Sequence, residues 1–115
     1  GLAYPDLAAR IMARFVAGSL TEDELLALCH SVYGNFGHAA VTPLVQLDAQ
    51  QWLLELFHGP TLAFKDVALQ LLGRLFETFL ERRDERLTIV GATSGDTGSA
   101  AIQAVAGLER VEIFM

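Results

Sequence analysis

The spacing of apolar residues predicts two amphipathic helices at the start of the chain. The first begins at Pro5, a residue that suits a first helical turn, and ends at Gly18. The second follows Thr21 and Glu24, which form a capping box in which each side chain binds a backbone amide of the other residue. Residues 1–43 are therefore predicted to form an N-terminal helical segment. The apolar positions that define the two helices are Leu7, Ala8, Ile11, Met12 and Phe15, then Leu25, Leu28, Cys29 and Val32.

The middle of the chain changes from helical to strand-like spacing and back again. Residues 44–47 and 52–57 predict two short strands, with Trp52 in the core. The sequence His-Gly-Pro at residues 58–60 ends that pattern, and helical spacing returns over residues 67–83. A hairpin followed by a third amphipathic helix is the predicted arrangement.

The last third of the chain has the order strand, turn, helix, strand. Residues 87–92 predict an apolar strand, a helix follows over about residues 99–105, and residues 111–114 predict a second strand. Two strands joined by a helix favour a right-handed βαβ unit with parallel strands. We therefore predict an α/β fold in which residues 44–115 are the start of an α/β domain that is incomplete at its C-terminus.

Composition and charge narrow the classes of function. With 14 acidic against 8 basic residues and a net charge of −6, the chain is poorly suited to the phosphate backbone of a nucleic acid. No apolar run approaches the ~20 residues that cross a bilayer, so a soluble protein of the cytoplasm is expected. A chain that opens on Gly1 and stops directly after an apolar run is expected to be a piece of a longer protein.

The thiol and imidazole side chains give little support for a nucleophile or a metal. Cys29, the only cysteine, lies on the apolar face of a predicted helix and is expected to be a packed thiol. His30, His38 and His58 share no ligand spacing with one another or with Cys29, so no metal site is predicted. His58 is predicted to be a structural turn residue, with a place at the mouth of a pocket as the alternative.

Lys65 stands where the third helix begins, directly after a Gly-Pro turn. The N-terminal end of a helix carries partial positive charge, which disfavours a cation there by roughly 0.3–1 kcal/mol. The same field favours the neutral amine, which is the species that attacks an aldehyde in Schiff-base chemistry. The local sequence leaves open the alternative of an exposed lysine that pairs with Asp66.

The sequence GATSGDTGSAA at residues 91–101 is the second candidate for chemistry. Its glycines let the backbone approach a ligand closely, and the start of the following helix suits a carboxylate or phosphate. Ser94, Thr97 and Ser99 could add hydroxyl donors. The spacing matches neither a P-loop, nor the dinucleotide-binding GxGxxG pattern, nor the G-x-S-x-G turn of a serine nucleophile. From these residues alone, an anion site and a turn without a ligand both remain possible.

Together these motifs resemble the threonine synthase family. LFHGPTLAFKD at residues 56–66 and TIVGATSGDTGSAA at residues 88–101 carry the resemblance, and VTPL at 41–44 and GLAYPD at 1–6 extend it over essentially the whole chain. The family consists of pyridoxal-phosphate enzymes with the tryptophan synthase β-like fold (fold type II). The resemblance implies conversion of O-phospho-L-homoserine and water to L-threonine and phosphate by β,γ-replacement. It also makes residues 44–115 the start of the cofactor-binding domain, and a fragment of this length is expected to be inactive alone.

The resemblance also assigns roles to residues. Lys65 would hold pyridoxal phosphate covalently and later move protons on the substrate. Asp96 would lie near the ring hydroxyl of the cofactor, where the related cysteine synthases usually have Asn. The residues expected around the substrate carboxylate are Ser94, Gly95, Thr97 and Gly98.

Two other classes of protein remain as alternatives at this point. One is another fold type II lyase, such as a threonine dehydratase or a cysteine synthase-like enzyme, and the other is a non-catalytic phosphate-binding α/β module. The sequence GNFG at residues 34–37 is similar to the family's phosphate cup, but it precedes VTPL and is predicted to be a loop. The cup itself and the contact to the pyridine nitrogen are expected beyond Met115.

Overall fold

The computed structural model describes residues 1–93 and 95–115, which form four helices and four strands of an α/β fold. No helix within these described residues is both long and apolar enough to cross a membrane. The helices are α1 (Tyr4–Val16), α2 (Glu22–Tyr33), α3 (Asp66–Arg83) and α4 (Asp96–Val105), and the strands are β1 (Leu44–Gln46), β2 (Trp52–Leu54), β3 (Leu87–Val90) and β4 (Val111–Phe114).

The first three helices share one apolar core. Leu25 and Cys29 on α2 are fully buried there, together with Leu71 from α3. Complete burial of a side chain the size of leucine contributes roughly 1.5–3 kcal/mol, so this core fixes α3 against the N-terminal helices. Burial also raises the pKa of the Cys29 thiol, which confirms the predicted packed cysteine. The boundary predicted after residue 43 stays a prediction.

Strands β1 and β2 form the predicted antiparallel hairpin, in which Leu44 pairs with Leu54 and Gln46 pairs with Trp52. The prediction that Trp52 belongs to the core is wrong, because 55% of its surface is exposed. Every residue of both strands is exposed, so neither face of this short hairpin is covered by the described part of the chain.

The C-terminal part has the predicted strand, helix, strand order. Strands β3 and β4 are parallel, with Leu87 opposite Val111 and Val90 opposite Phe114. Helix α4, between them, packs on α3 where Gly73 meets the backbone of Ala104 so closely that a Cβ at Gly73 would overlap the Ala104 carbonyl. The parallel sheet predicted from the sequence is thus confirmed.

Helix α4 begins three residues earlier than the sequence predicts, at Asp96 instead of about Ser99. The break before the helix is at Gly95, whose φ of 158° and ψ of −111° form a conformation that favours glycine. Gly98 precedes the predicted start of the helix. It lies inside the helix, where a Cβ would be only 2.6 Å from Oγ1 of Thr93, so close packing rather than a turn accounts for this glycine.

Candidate active site

Lys65 is the N-cap residue of α3, at the end of a tight loop that starts at Gly59. In this loop the amide of Leu62 donates to the Gly59 carbonyl at 3.1 Å, and the amide of Asp66 donates to the Ala63 carbonyl at 3.1 Å. Leu62 has a φ of 64°, a left-handed backbone conformation that residues other than glycine rarely adopt. The helix then starts with the amide of Leu69 donating to the Lys65 carbonyl at 2.9 Å. The loop thus delivers Lys65 to the beginning of a helix.

The side chains of Lys65 and Asp66 point to different partners. The carboxylate of Asp66 is fully buried and accepts hydrogen bonds from the amide and the hydroxyl of Thr61, at 2.7 and 2.8 Å. Nζ of Lys65 lies 4.1 Å from the centroid of the Phe64 ring, and no ion pair among the described residues involves it. The alternative of a lysine paired with Asp66 is therefore wrong.

Lys65 is also the only lysine of the chain, all the other basic side chains in the count of 8 being arginine. An arginine cannot replace a lysine in Schiff-base chemistry, because its guanidinium stays charged and delocalised. The composition therefore points to Lys65 independently of the motifs, because no other lysine is present.

An open apolar cavity of about 530 Å³ brings Lys65 together with the second motif. Its wall includes Thr97 from the first turn of α4, which is 32 positions further along the chain than Lys65. The remaining lining residues are Leu56, Phe64, Val67, Ala68 and Leu69. Apart from Lys65 and Thr97, these side chains are apolar, so the cavity suits a flat aromatic ring next to the amine.

The first turn of α4 places the other predicted residues. Gly95, Asp96 and Thr97 are exposed, whereas Gly98 is buried against Thr93. Ser94, also predicted to contact substrate, lies outside the described residues. Gly95 is the N-cap residue and has no side chain with which to cap the first amides of the helix. Uncapped amides together with the helix dipole form a favourable environment for an anion.

His58 and the GNFG loop contact each other where the loop that leads to Lys65 begins. The amide of Gly37 donates to the His58 carbonyl at 2.8 Å, which ties the GNFG loop to the start of the Lys65 motif. Nε2 of His58 lies 2.7 Å from Oε2 of Glu55, and the His38 ring lies 5.2 Å from the His58 ring between centroids. These contacts agree with the prediction of a loop at GNFG and of a structural turn residue at position 58.

Neither Thr61 nor the burial of the Asp66 carboxylate is predicted from the sequence. An aspartate next to a lysine suggests an ion pair, and only the left-handed turn at Leu62 shows that the carboxylate faces back into the loop. Both residues lie within the recognised motif, so the available signal was their place in that motif and not their charge.

The overall fold is that of the fold type II class of pyridoxal-phosphate enzymes. The crystal structure of PLP-bound threonine synthase from Brucella melitensis matches 99% of this chain with a TM-score of 0.93 and 51% identity, and the match covers 25% of that structure. Threonine synthase from Escherichia coli matches 97% of the chain with a TM-score of 0.83 at 30% identity, over 24% of its own length.

Sequence comparison leads to a particular family within that class. Threonine synthase from Pseudomonas aeruginosa is 56% identical over 115 residues, which is all of this chain and 24% of that protein. Human threonine synthase-like 2 is 40% identical over 99% of the chain. No family model matches the chain. The chain is therefore a homologue of the threonine synthases, and it spans about a quarter of the length of the relatives it matches.

Pyridoxal phosphate fits the residues that are present in two respects. The single lysine lines an apolar cavity from which an amine could reach an aldehyde, and the start of α4 on the same cavity suits an anionic group. Lys65 could therefore hold the cofactor covalently, with the cavity lining as one wall of its binding site.

Proposed function

We propose that the complete protein carrying this chain is a threonine synthase, which converts O-phospho-L-homoserine and water to L-threonine and phosphate with pyridoxal phosphate as its cofactor. The observation that carries the proposal is the position of Lys65, the only lysine, on one cavity wall with Thr97 of the second motif. Homology to threonine synthases over the whole chain supports the same activity.

Lys65 has two tasks in this proposal. Its amine is the covalent attachment point of the cofactor. Once released, the amine takes a proton from one substrate carbon and delivers it to another. When bound, pyridoxal phosphate supplies the electron sink that makes loss of phosphate and addition of water at the β carbon feasible. The apolar side chains of Leu56 and Phe64 line the cavity beside the amine.

The first turn of α4 binds the substrate carboxylate in this proposal. The amides near Gly95 and Thr97 lie at the positive end of the helix and have no N-cap side chain as a competing acceptor. Ser94 and Gly98 complete this group, as the family resemblance implies, and Asp96 lies near the ring hydroxyl of the cofactor. A cytoplasmic location, which cell fractionation would test, is also part of the proposal.

The test is an assay of the complete protein loaded with pyridoxal phosphate. We expect equal amounts of phosphate and L-threonine to form from O-phospho-L-homoserine, and borohydride reduction to fix the cofactor on the peptide that contains Lys65. Parallel assays with L-threonine and with O-acetyl-L-serine test the related lyases. Ammonia release from threonine, or sulfide-dependent use of O-acetylserine, without phosphate release from O-phosphohomoserine would overturn the proposal.

A further inference from the structure

Asp66 is the one charged side chain among the described residues that is completely buried. Burying a carboxylate is costly unless hydrogen bonds replace its lost water. Thr61 supplies both of them, since its amide donates to Oδ2 at 2.7 Å and its hydroxyl donates to Oδ1 at 2.8 Å. An aspartate in the first turn of a helix normally faces solvent near the exposed amides, so this inward orientation needs an explanation beyond the helix dipole.

The contacts of Asp66 close a small loop around the residues that lead to Lys65. The loop contains Leu62, whose left-handed backbone is strained and persists only when surrounding contacts enforce it. Gly59 packs directly on the carboxylate, because a Cβ at this position would lie 2.5 Å from Oδ2 of Asp66. The backbone on both sides of Leu62 is thus held by Asp66.

We infer that Asp66 and Thr61 are positioning residues for Lys65, an inference that rests on the proposed function. Lys65 and Asp66 are adjacent, so fixing the Asp66 side chain against Thr61 fixes the backbone from which the Lys65 side chain leaves. A long lysine side chain multiplies small errors in its backbone direction, and a misplacement of about 1 Å in a catalytic group can cost on the order of 100-fold in rate. The buried carboxylate directs the amine into the cavity and does not touch the cofactor or substrate.

The inference is tested on the complete protein by its affinity for pyridoxal phosphate. The bound fraction is measured as cofactor trapped on Lys65 by borohydride, and thermal unfolding without cofactor is measured for every variant. Thr61→Val removes only the hydroxyl and keeps the shape and the amide, whereas Thr61→Ser keeps the hydroxyl. Asp66→Ala removes both contacts. The matched control is Leu71→Ala, which opens the apolar core five residues further along α3 and leaves both hydrogen bonds of Asp66 in place.

We expect the cofactor Kd to rise about 10- to 100-fold in Asp66→Ala, the size expected for lost hydrogen bonds to a charged group. Thr61→Val should change the Kd in the same direction by less, and Thr61→Ser should restore it. Leu71→Ala should lower the melting temperature at least as much as Thr61→Val and still bind cofactor with close to the original Kd. If Asp66→Ala does not fold, the difference in Kd between Thr61→Val and Thr61→Ser decides whether the inference holds.

Two results would overturn the inference while leaving the proposed function intact. The first is an unchanged Kd in Thr61→Val and Asp66→Ala, and the second is an equal loss of affinity in Leu71→Ala at the same loss of stability. A complete protein whose Lys65 traps no cofactor would instead refute the proposed function, and the inference would fail with it.

Discussion

Helices α2 and α3 begin in opposite ways. At α2, the Thr21 hydroxyl accepts from the Glu24 amide at 3.2 Å, and the Glu24 carboxylate accepts from the Thr21 amide at 2.9 Å. At α3, the N-cap residue is Lys65, a basic residue with no capping hydrogen bond from its side chain. The first start satisfies its own backbone groups, whereas the second presents an amine where the helix dipole disfavours a cation.

In the proposed function, the start of α2 serves stability and the start of α3 serves chemistry. The backbone amides of Thr21 and Glu24 both find acceptors within the same turn. Arg82 from α3 also forms an ion pair with Glu24. At Lys65, by contrast, the nearby carboxylate of Asp66 is held by Thr61 and leaves the amine free of an ion pair among the described residues. A basic residue at a helix start departs from the usual sequence preference, and such departures are typical of functional sites.

Replacing Lys65 gives the largest expected effect. Lys65→Ala in the complete protein removes both the attachment point and the acid-base group, so turnover should fall by far more than the ~10²–10⁴-fold of a single acid-base catalyst. Stability without cofactor should stay equal or rise, because a cation at the positive end of a helix costs roughly 0.3–1 kcal/mol. Phosphate release and thermal unfolding measure the two effects. Near-normal turnover, or a large drop in melting temperature, would show that α3 begins like an ordinary structural helix.

Asp96 should give an intermediate effect, and Glu22 is its matched control. Both are exposed acidic residues in the first turn of a helix, Asp96 on α4 and Glu22 on α2. Replacing either with Ala should therefore cost a similar few tenths to ~1 kcal/mol of stability through the helix dipole. Only Asp96→Ala should also lower kcat/KM, by about 10-fold or more, as expected for a lost contact to a polar group of the cofactor. Equal activity in the two variants would mean that Asp96 is a helix-start charge and nothing more.

Much of the fold was predictable because its local signals agree with one another. The capping box at Thr21 and Glu24 is present as predicted, and α3 begins within one residue of its predicted start. Helix α4 starts before its predicted position because Gly98 lies inside the helix, where it packs closely against Thr93. The exposure of Trp52 could not be predicted, since a short apolar run does not reveal whether another layer covers the strands.

The residues proposed for the candidate site come from sequence motifs, and their role stays a prediction, whereas their geometry comes from the structure. The motifs pointed to Lys65 and to residues 94–98, but nothing in their spacing shows that Lys65 and Thr97 share one cavity. The hydrogen bonds of Asp66 depend on a left-handed Leu62, a conformation that no propensity assigns to leucine. Tertiary contacts of this kind become visible only in three dimensions.

The smallest expected effect is a pH dependence confined to the start of α2. Hydrogen bonds from the amide and then the hydroxyl of Thr21, followed by the charge of Arg82, lower the pKa of Glu24 from its ordinary value of 4.5. A carboxylate whose pKa is lowered by folding stabilises the folded state above the unfolded pKa, and that contribution is lost as the pH falls through the lower, folded pKa.

The first amides of α2 should therefore stay protected from hydrogen exchange above about pH 5 and lose protection progressively below the ordinary glutamate pKa. Glu24→Gln, which keeps an acceptor but cannot titrate, should show no such change over the same range. Hydrogen exchange is measured by mass spectrometry on the complete protein and on its Glu24→Gln variant, and is corrected for intrinsic rates. The start of α3 is the internal reference. A parallel loss of protection at α3 would indicate general acid unfolding and would remove the distinction drawn between the two helix starts.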